Sequence, residues 1–247
     1  MILMRKPFLL LLVFCAFITC KKRNEDIPEP ASKAAISGSV NLYDEATLPL
    51  SNSDMKVSVL GTTPLISVST DASGKYLLPS VPFGTYTLVY EKTGYGTYLK
   101  PGVVHATDGS PTILTNTPSL GKKSTTTITN LTISQNASTI LVNASTNPAG
   151  SMGNTRYIRY FLSASSAVSK DNYSYASAGL VSRINPYEIT LTPSILSTAG
   201  FASGQTVYIK VYGDSFWSNE YQDSSTGKKV FPNVNESAAS AVSFIVP

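Results

Sequence analysis

The residues best suited to chemistry lie in a polar segment near the carboxyl end of the chain, residues 214–235. The segment carries Phe216, the single tryptophan Trp217 and Tyr221. Polar side chains stand beside these aromatics: Asn219, Glu220, Gln222 and Asp223. A carbohydrate site needs this combination, because the CH groups of a sugar stack on aromatic faces while its hydroxyls bond polar neighbours. The alternative, which the sequence alone favours, is that Phe216 and Trp217 close one end of a hydrophobic core.

Catalytic chemistry has little support in the rest of the chain. His105 is the single histidine, and the two cysteines, Cys15 and Cys20, both lie close to the amino terminus. A metal site with two histidines is therefore excluded, and the abundant Ser and Thr residues have no evident base to activate them. We predict no catalytic residue, no metal and no cofactor, hence no enzymatic activity. We also predict that His105 is an ordinary surface residue.

The first twenty residues predict export. Arg5 and Lys6 precede an apolar run, 8–18, that is shorter than the roughly 20 residues needed to span a bilayer. The run ends in Phe17-Ile18-Thr19-Cys20. This ending resembles the lipobox of bacterial lipoproteins, with Phe17 and Thr19 less typical. The resemblance implies a signal peptide at 1–19 and a lipid-modified Cys20. The alternative is an ordinary signal peptide that happens to end near a cysteine.

Residues 20–34 are charged, contain proline and have almost no large apolar side chain except Ile27. Such a composition predicts a flexible tether. The residue after Cys20 is Lys21 rather than the Asp associated with inner-membrane retention. By that resemblance, the protein is an outer-membrane lipoprotein, either facing the periplasm or exposed at the cell surface. The membrane is then a partner through the lipid on Cys20.

The charge pattern argues against nucleic acid as a partner. The chain has 19 basic and 15 acidic residues, a formal net charge of +4. Removal of the leader takes away Arg5 and Lys6, and the remaining lysines and arginines are scattered. A nucleic-acid surface needs a continuous basic stripe along the phosphates, and this sequence does not provide one.

A stretch between Thr70 and Tyr95 indicates the fold of the first half. Asp71 and Gly74 frame a tight turn, and Pro79, Pro82 and Gly84 predict a second reversal. Apolar and polar residues alternate on either side, which is typical of half-buried strands. The residues that carry a family resemblance are Asp71, Gly74, Tyr76, Leu78, Val81, Pro82, Gly84, Tyr86, Leu88, Gly94 and Tyr95. They resemble the carboxypeptidase regulatory-like domain, and this implies a transthyretin-like β-sandwich over residues 35–118.

The second half also predicts strands. After a linker at 119–124, alternating patterns appear at 127–133, 139–144, 156–162, 187–192, 206–212 and 241–246. Pro193 in the first helical position predicts one short helical turn that ends before Gly200. The order of strands weakly resembles a fibronectin type III or immunoglobulin-like sandwich over 125–247. The predicted fold class is therefore all-β, with two tandem β-sandwich domains after the signal peptide and tether.

These features resemble a Bacteroidota-type surface lipoprotein. They predict a non-catalytic, lipid-anchored protein of the cell envelope that acts as a binding, adhesion or accessory module, with a protein or glycan partner. The alternative is a carbohydrate-binding surface lipoprotein that serves glycan uptake through Phe216, Trp217 and Tyr221. An accessory subunit of a hydrolase is the weakest of the three interpretations.

Overall fold

The predicted all-β class is confirmed in a computed structural model that describes residues 32–106 and 109–247. The predicted signal peptide, most of the tether and Cys20 lie outside the described residues. The described residues belong to one compact unit. In the first half the strands are β1 Lys33–Ser39, β2 Asn41–Tyr43, β3 Lys56–Val59, β4 Ser67–Ser69, β5 Lys75–Pro82, β6 Gly84–Glu91, β7 Tyr98–His105, β8 Thr112–Ile113 and β9 Ser119–Gly121.

The first half forms a sandwich of two sheets around one core. One sheet has the order β4-β3-β6-β7, and the other has the order β5-β1-β8, with β2 and β9 paired alongside in parallel. Ile36 and Leu78 from the second sheet pack with Val57 and Leu88 from the first. Strand alternation places these side chains on the inner faces, and burial of apolar area is the main force that holds such sheets together.

The turn that joins β4 to β5 forms as the sequence predicts. Asp71 accepts hydrogen bonds at Oδ1 from the backbone N–H groups of Ser73 and Lys75, at 2.8 and 2.9 Å. Gly74 has φ +79, and a Cβ atom there would lie 2.1 Å from the Val40 carbonyl oxygen. Glycine is therefore required at this position both by its backbone conformation and by the close approach of the backbone at Val40, between β1 and β2.

The second reversal falls later than predicted. Pro79 lies inside β5, and the chain reverses only at Phe83, between Pro82 and Gly84. Ser80 adopts φ +55, and the pairing of β5 with β1 is irregular near this point, between Ala34 and Ile36. A bulge absorbs a proline in a strand because it interrupts the ladder where the missing N–H would have donated.

The prediction that His105 is a surface residue is wrong. It is 1% exposed at the end of β7. Its Nδ1 lies 2.7 Å from the Thr112 hydroxyl and its Nε2 lies 3.2 Å from the Val81 carbonyl oxygen, and its ring packs on Phe83. The imidazole therefore joins three strands, which a count of histidines along the sequence cannot reveal.

The second half forms another sandwich, with a core of its own. Its sheets have the orders β10-β11-β15 and β13-β12-β16-β19, and β14 also pairs with β12. Each of the six predicted strands is present, and the predicted helical turn is α1, capped by the Thr192 hydroxyl. The elements are β10 Thr127–Asn136, β11 Thr139–Asn147, β12 Arg156–Ser163, β13 Tyr175–Ala176, β14 Leu180–Ser182, β15 Tyr187–Leu191, α1 Pro193–Thr198, β16 Thr206–Asp214, β17 Tyr221–Gln222, β18 Lys229–Val230 and β19 Val242–Ile245.

The predicted linker at 119–124 differs from the observed structure. Its first three residues form β9, which pairs with β2, and Leu120 is buried in the first core. The first sandwich therefore runs from Lys33, inside the predicted tether 20–34, to Gly121, so both predicted bounds of the domain, 35 and 118, are wrong. The sequence did not predict this strand because only one of its three residues, Leu120, is large and apolar. Independent folding of the two sandwiches stays a prediction.

Candidate functional site

The polar segment 214–235, here called the junction segment, lies where the two sandwiches meet. It leaves the second sandwich at the end of β16 and contacts the loop after β2 in the first. The Phe216 backbone N–H donates to the Glu45 carbonyl oxygen at 3.0 Å, and the Ser215 hydroxyl donates to the Lys122 carbonyl oxygen. Glu45 also bonds Arg156 of β12, at 2.7 Å between Oε1 and Nη1. The segment is thus held by both halves of the protein.

Two buried asparagines fix the junction segment in place. Asn233 Nδ2 donates to the carbonyl oxygens of Gly121 and Trp217 at 2.9 and 2.7 Å, and its Oδ1 accepts from the Gly96 N–H at 2.9 Å. Asn219 Oδ1 accepts from the Gly121 N–H at 2.8 Å, and its Nδ2 donates to Gly96, Gly121 and Asn233. An amide has both donors and an acceptor, so it can satisfy mixed backbone groups that are withdrawn from water.

Glycines on the first sandwich make this close approach possible. A Cβ atom at Gly96 would lie 2.5 Å from Asn233 Oδ1, and one at Gly121 would lie 2.5 Å from the Trp217 carbonyl oxygen. Both distances are far inside van der Waals contact. The two backbones therefore meet only because neither position has a side chain.

The three predicted site aromatics do not form one cluster. Trp217 is half-buried, with its ring 5.0 Å from that of Tyr43 in β2, and it packs at the junction rather than at one end of a core. Tyr221 contacts Tyr98 of β7 edge-on at 6.4 Å. Phe216 is 47% exposed. Phe216 is thus the predicted aromatic with the most accessible ring.

Phe216 stands at the edge of a cleft of about 450 Å³, here called the aromatic cleft. Its ring is supported edge-on by Trp217 at 5.0 Å and by Tyr157 of β12 at 5.6 Å. Such T-shaped contacts hold an exposed ring in one orientation. The cleft is lined by Tyr157, Arg159, Ala176, Ser177, Ala178, Gly179, Val181, Ser215, Phe216, Ser218, Glu220, Lys229 and Phe231.

A buried guanidinium organises the polar side of the aromatic cleft. Arg159 Nε donates to Asp214 Oδ2 at 2.7 Å, Nη2 lies 3.3 Å from Glu220 Oε2, and Nη1 donates to the Ser177 carbonyl oxygen. The guanidinium also lies 4.2 Å from the centre of the Phe231 ring. A charge this buried needs such partners to offset its lost hydration. The network therefore sets the position of Glu220.

The two carboxyl groups that pair with Arg159, those of Asp214 and Glu220, have different environments. Burial raises the pKa of Asp214, and the adjacent Arg159 charge and hydrogen bond oppose that rise. Partial burial also acts to raise the pKa of Glu220, but the hydrogen bond from Lys229 and the Arg159 charge outweigh it and lower the pKa. Lys229 Nζ lies 2.7 Å from Glu220 Oε1, and the side chains of both are accessible. Glu220 is therefore an ionised acceptor at the cleft surface near neutral pH.

Sequence reasoning missed Tyr157, Arg159 and Lys229. One signal was available for Arg159: it is a charged residue inside Arg156–Ser163, where its neighbours Ile158 and Tyr160 are buried. A buried strand tolerates an arginine only with a partner. The partner, Asp214, is 55 residues further along the chain, so the pairing could not be assigned from the sequence.

Within 32–106 and 109–247, no three His, Cys, Asp or Glu side chains are grouped so that they could hold a metal ion. No helix in that part of the chain is long and apolar enough to cross a membrane.

Comparison with known structures finds distant similarities in Bacteroides. A structure described as "a putative carbohydrate binding protein" from Bacteroides uniformis is 17% identical, covers 86% of this chain and 99% of its own, and has a TM-score of 0.32. A DUF3823 family protein from Bacteroides ovatus is 14% identical, covers 87% and 100% respectively, and has a TM-score of 0.31. A DUF3823 family protein from Bacteroides uniformis is 11% identical, with the same coverage and a TM-score of 0.28.

No family model matches this chain. No curated protein matches it either. The resemblance of residues 35–118 to the carboxypeptidase regulatory-like domain therefore stays a prediction.

Proposed function

We propose that this protein is a non-catalytic binding module of the cell envelope and that it binds carbohydrate in the aromatic cleft. The observation that carries the proposal is Phe216, an exposed ring held between Tyr157 and Trp217 at the edge of a polar cleft. A sugar needs an apolar platform for its CH face and fixed polar groups for its hydroxyls, and both are present here.

The polar groups beside Phe216 suit hydroxyl recognition. Glu220 is an ionised acceptor, and Lys229 is a donor whose Nζ lies 2.7 Å from it. Neighbouring hydroxyls of a sugar each donate and accept, so they match an acceptor and a donor held at this spacing. Arg159 also pairs with Glu220. Because this contact already orders the Glu220 side chain, less conformational entropy is lost when a ligand binds.

The arrangement of carboxylates favours binding over hydrolysis. Most glycoside hydrolases place two carboxyl groups on either side of the bond that breaks, about 5–10 Å apart. Here the Asp214 carboxyl is completely buried, does not line the aromatic cleft and is bonded to Arg159. Glu220 alone of this pair reaches the cleft, so a general acid and a base for a bound sugar are not both available.

A lipid anchor at Cys20 is part of the proposed function. A lipid on Cys20, and the tether between Cys20 and the start of β1 at Lys33, hold the module at the outer membrane, where it captures glycan for uptake. Lipoproteins carry several acyl chains, and this gives the stable attachment that a single chain does not.

Phe216→Ala tests the proposed site. We expect glycan-array binding by the wild type and its loss in the variant, while the free energy of unfolding changes little because the ring is already half exposed. Ile184→Ala is the matched control, since Ile184 is also an exposed large apolar residue but lies outside the cleft. Absence of binding by the wild type would contradict a carbohydrate ligand and favour a protein partner.

A further inference from the structure

A second cavity lies next to the aromatic cleft on the side of the first sandwich. Its volume is about 250 Å³, and it has Tyr98, Pro118, Ser119 and Leu120 of the first sandwich on its wall. Trp217 and Asn219 of the junction segment also line it. The aromatic cleft is built from the second sandwich and the junction segment, so the two cavities have different supports.

The two cavities share part of their lining. Phe216, Ser218 and Glu220 line both of them. The segment 216–220 is therefore a ridge between adjacent binding spaces, with the exposed Phe216 ring on it. A ligand that stacks on Phe216 is adjacent to both spaces.

This ridge is preorganised. The Trp217 ring packs on Tyr43, and the Asn219 amide makes its hydrogen bonds to Gly96, Gly121 and Asn233 from a buried position. A ridge fixed to both sandwiches keeps the two spaces at constant separation. Little ordering is then needed when a ligand occupies both.

The charges around the two spaces balance. Arg159 and Lys229 are matched by Asp214 and Glu220 through the ion pairs described above. Among the described residues, Arg159, Glu220 and Lys229 are the charged side chains that line the two cavities, and Asp214 binds Arg159 without lining either of them. An acidic sugar would need an excess of positive charge, and these four charges, with Asp214 offsetting Arg159 from its buried position, leave none, so the pattern favours a neutral ligand.

From these observations, and resting on the proposed function, we infer that the ligand is a neutral oligosaccharide that crosses the Phe216 ridge. One sugar unit occupies the aromatic cleft and a neighbouring unit occupies the second cavity, against Tyr98 and Ser119. Because the units are linked, binding of the first raises the effective concentration of the second. Affinity therefore rises with chain length until both spaces are filled.

The test is isothermal titration of the purified chain with neutral gluco-, xylo- and manno-oligosaccharides of one to six units, and with oligogalacturonate. We expect at least a tenfold fall in Kd between the single sugar and the oligomer in the series that binds, and no binding of oligogalacturonate. A Kd independent of length would overturn the inference while leaving the proposed function intact. Tighter binding of oligogalacturonate would overturn the neutral class.

Ser119→Tyr adds a bulky ring to the wall of the second cavity, because Ser119 is a partly exposed residue of that wall. We expect this variant to lose the gain with length but to keep the affinity for the single sugar. Ser119→Ala is the matched control and should behave as wild type. If Ser119→Tyr keeps the full increase in affinity with chain length, the second subsite is refuted. If that variant does not fold, the dependence of the wild-type Kd on chain length still tests the inference. A wild type that binds no sugar at all would refute the proposed function as well.

Discussion

Replacing Asn233 with alanine should destabilise the protein more than any exposed asparagine would. The side chain is completely buried, and its removal takes a hydrogen-bond partner from the Gly96 N–H and from the Trp217 carbonyl oxygen. Each buried polar group left unpaired costs about 1–3 kcal/mol. We therefore expect the free energy of unfolding to fall by about 2–6 kcal/mol, with the low end reached if water enters the space. A domain is typically stable by only about 5–15 kcal/mol.

The assay is urea unfolding followed by both circular dichroism and tryptophan fluorescence. Trp217 is the single tryptophan and lies at the junction, so its fluorescence reports on that region while dichroism reports on both sandwiches. In Asn233→Ala we expect the fluorescence change to precede the dichroism change. Asn130→Ala, at an exposed position of β10, is the control and should stay within about 0.5 kcal/mol of wild type. Equal midpoints for the two variants would refute the structural role of the asparagine pair.

Three further predictions concern the anchor, the cleft and the domains. Cys20→Ser should move the protein from the membrane fraction to the soluble one, and identical fractionation of variant and wild type would exclude lipidation. Lys229→Met should raise the pKa of Glu220, measured by carboxyl NMR titration, because a hydrogen bond that lowers the pKa is lost; Lys228→Met is the control. The lowered pKa means that Glu220 stabilises the wild type above pH 4.5, its ordinary pKa, and that this stabilisation is lost as the pH falls through the folded-state pKa. The fragment 34–121 should unfold cooperatively, and 34–118 should be less stable because it lacks β9; a disordered 34–121 would mean that the junction segment completes the first core.

Local patterns predicted the strands of the second half well, and the reason is visible in their burial. In β11 and β16 inward and outward residues mostly alternate, and a period of two is a property of the backbone that any stretch of sequence displays directly. The turn at Asp71–Gly74 is equally local, since its hydrogen bonds join residues at most four apart. Such features need no knowledge of the rest of the chain.

The candidate site depends on contacts that the sequence does not display. Phe216 was identified because aromatics beside amides are recognisable as a composition. Tyr157 and Arg159 were missed because they join the site across strand pairing, where Tyr157 lies opposite Asp214 in the register of β12 and β16. The same holds for His105, whose partners come from other strands.

The sequence by itself determined the all-β class and most strand positions, because these follow from alternation and turn residues within short windows. It also identified 214–235 as the segment with site chemistry. Only the tertiary structure decided that this segment lies between the sandwiches, that Trp217 packs on Tyr43 and that Phe216 faces a cleft. The reason is that Asn219 and Asn233 find their partners at Gly96 and Gly121, 98 to 137 residues away. Such pairings depend on the packing of the whole chain rather than on any local preference.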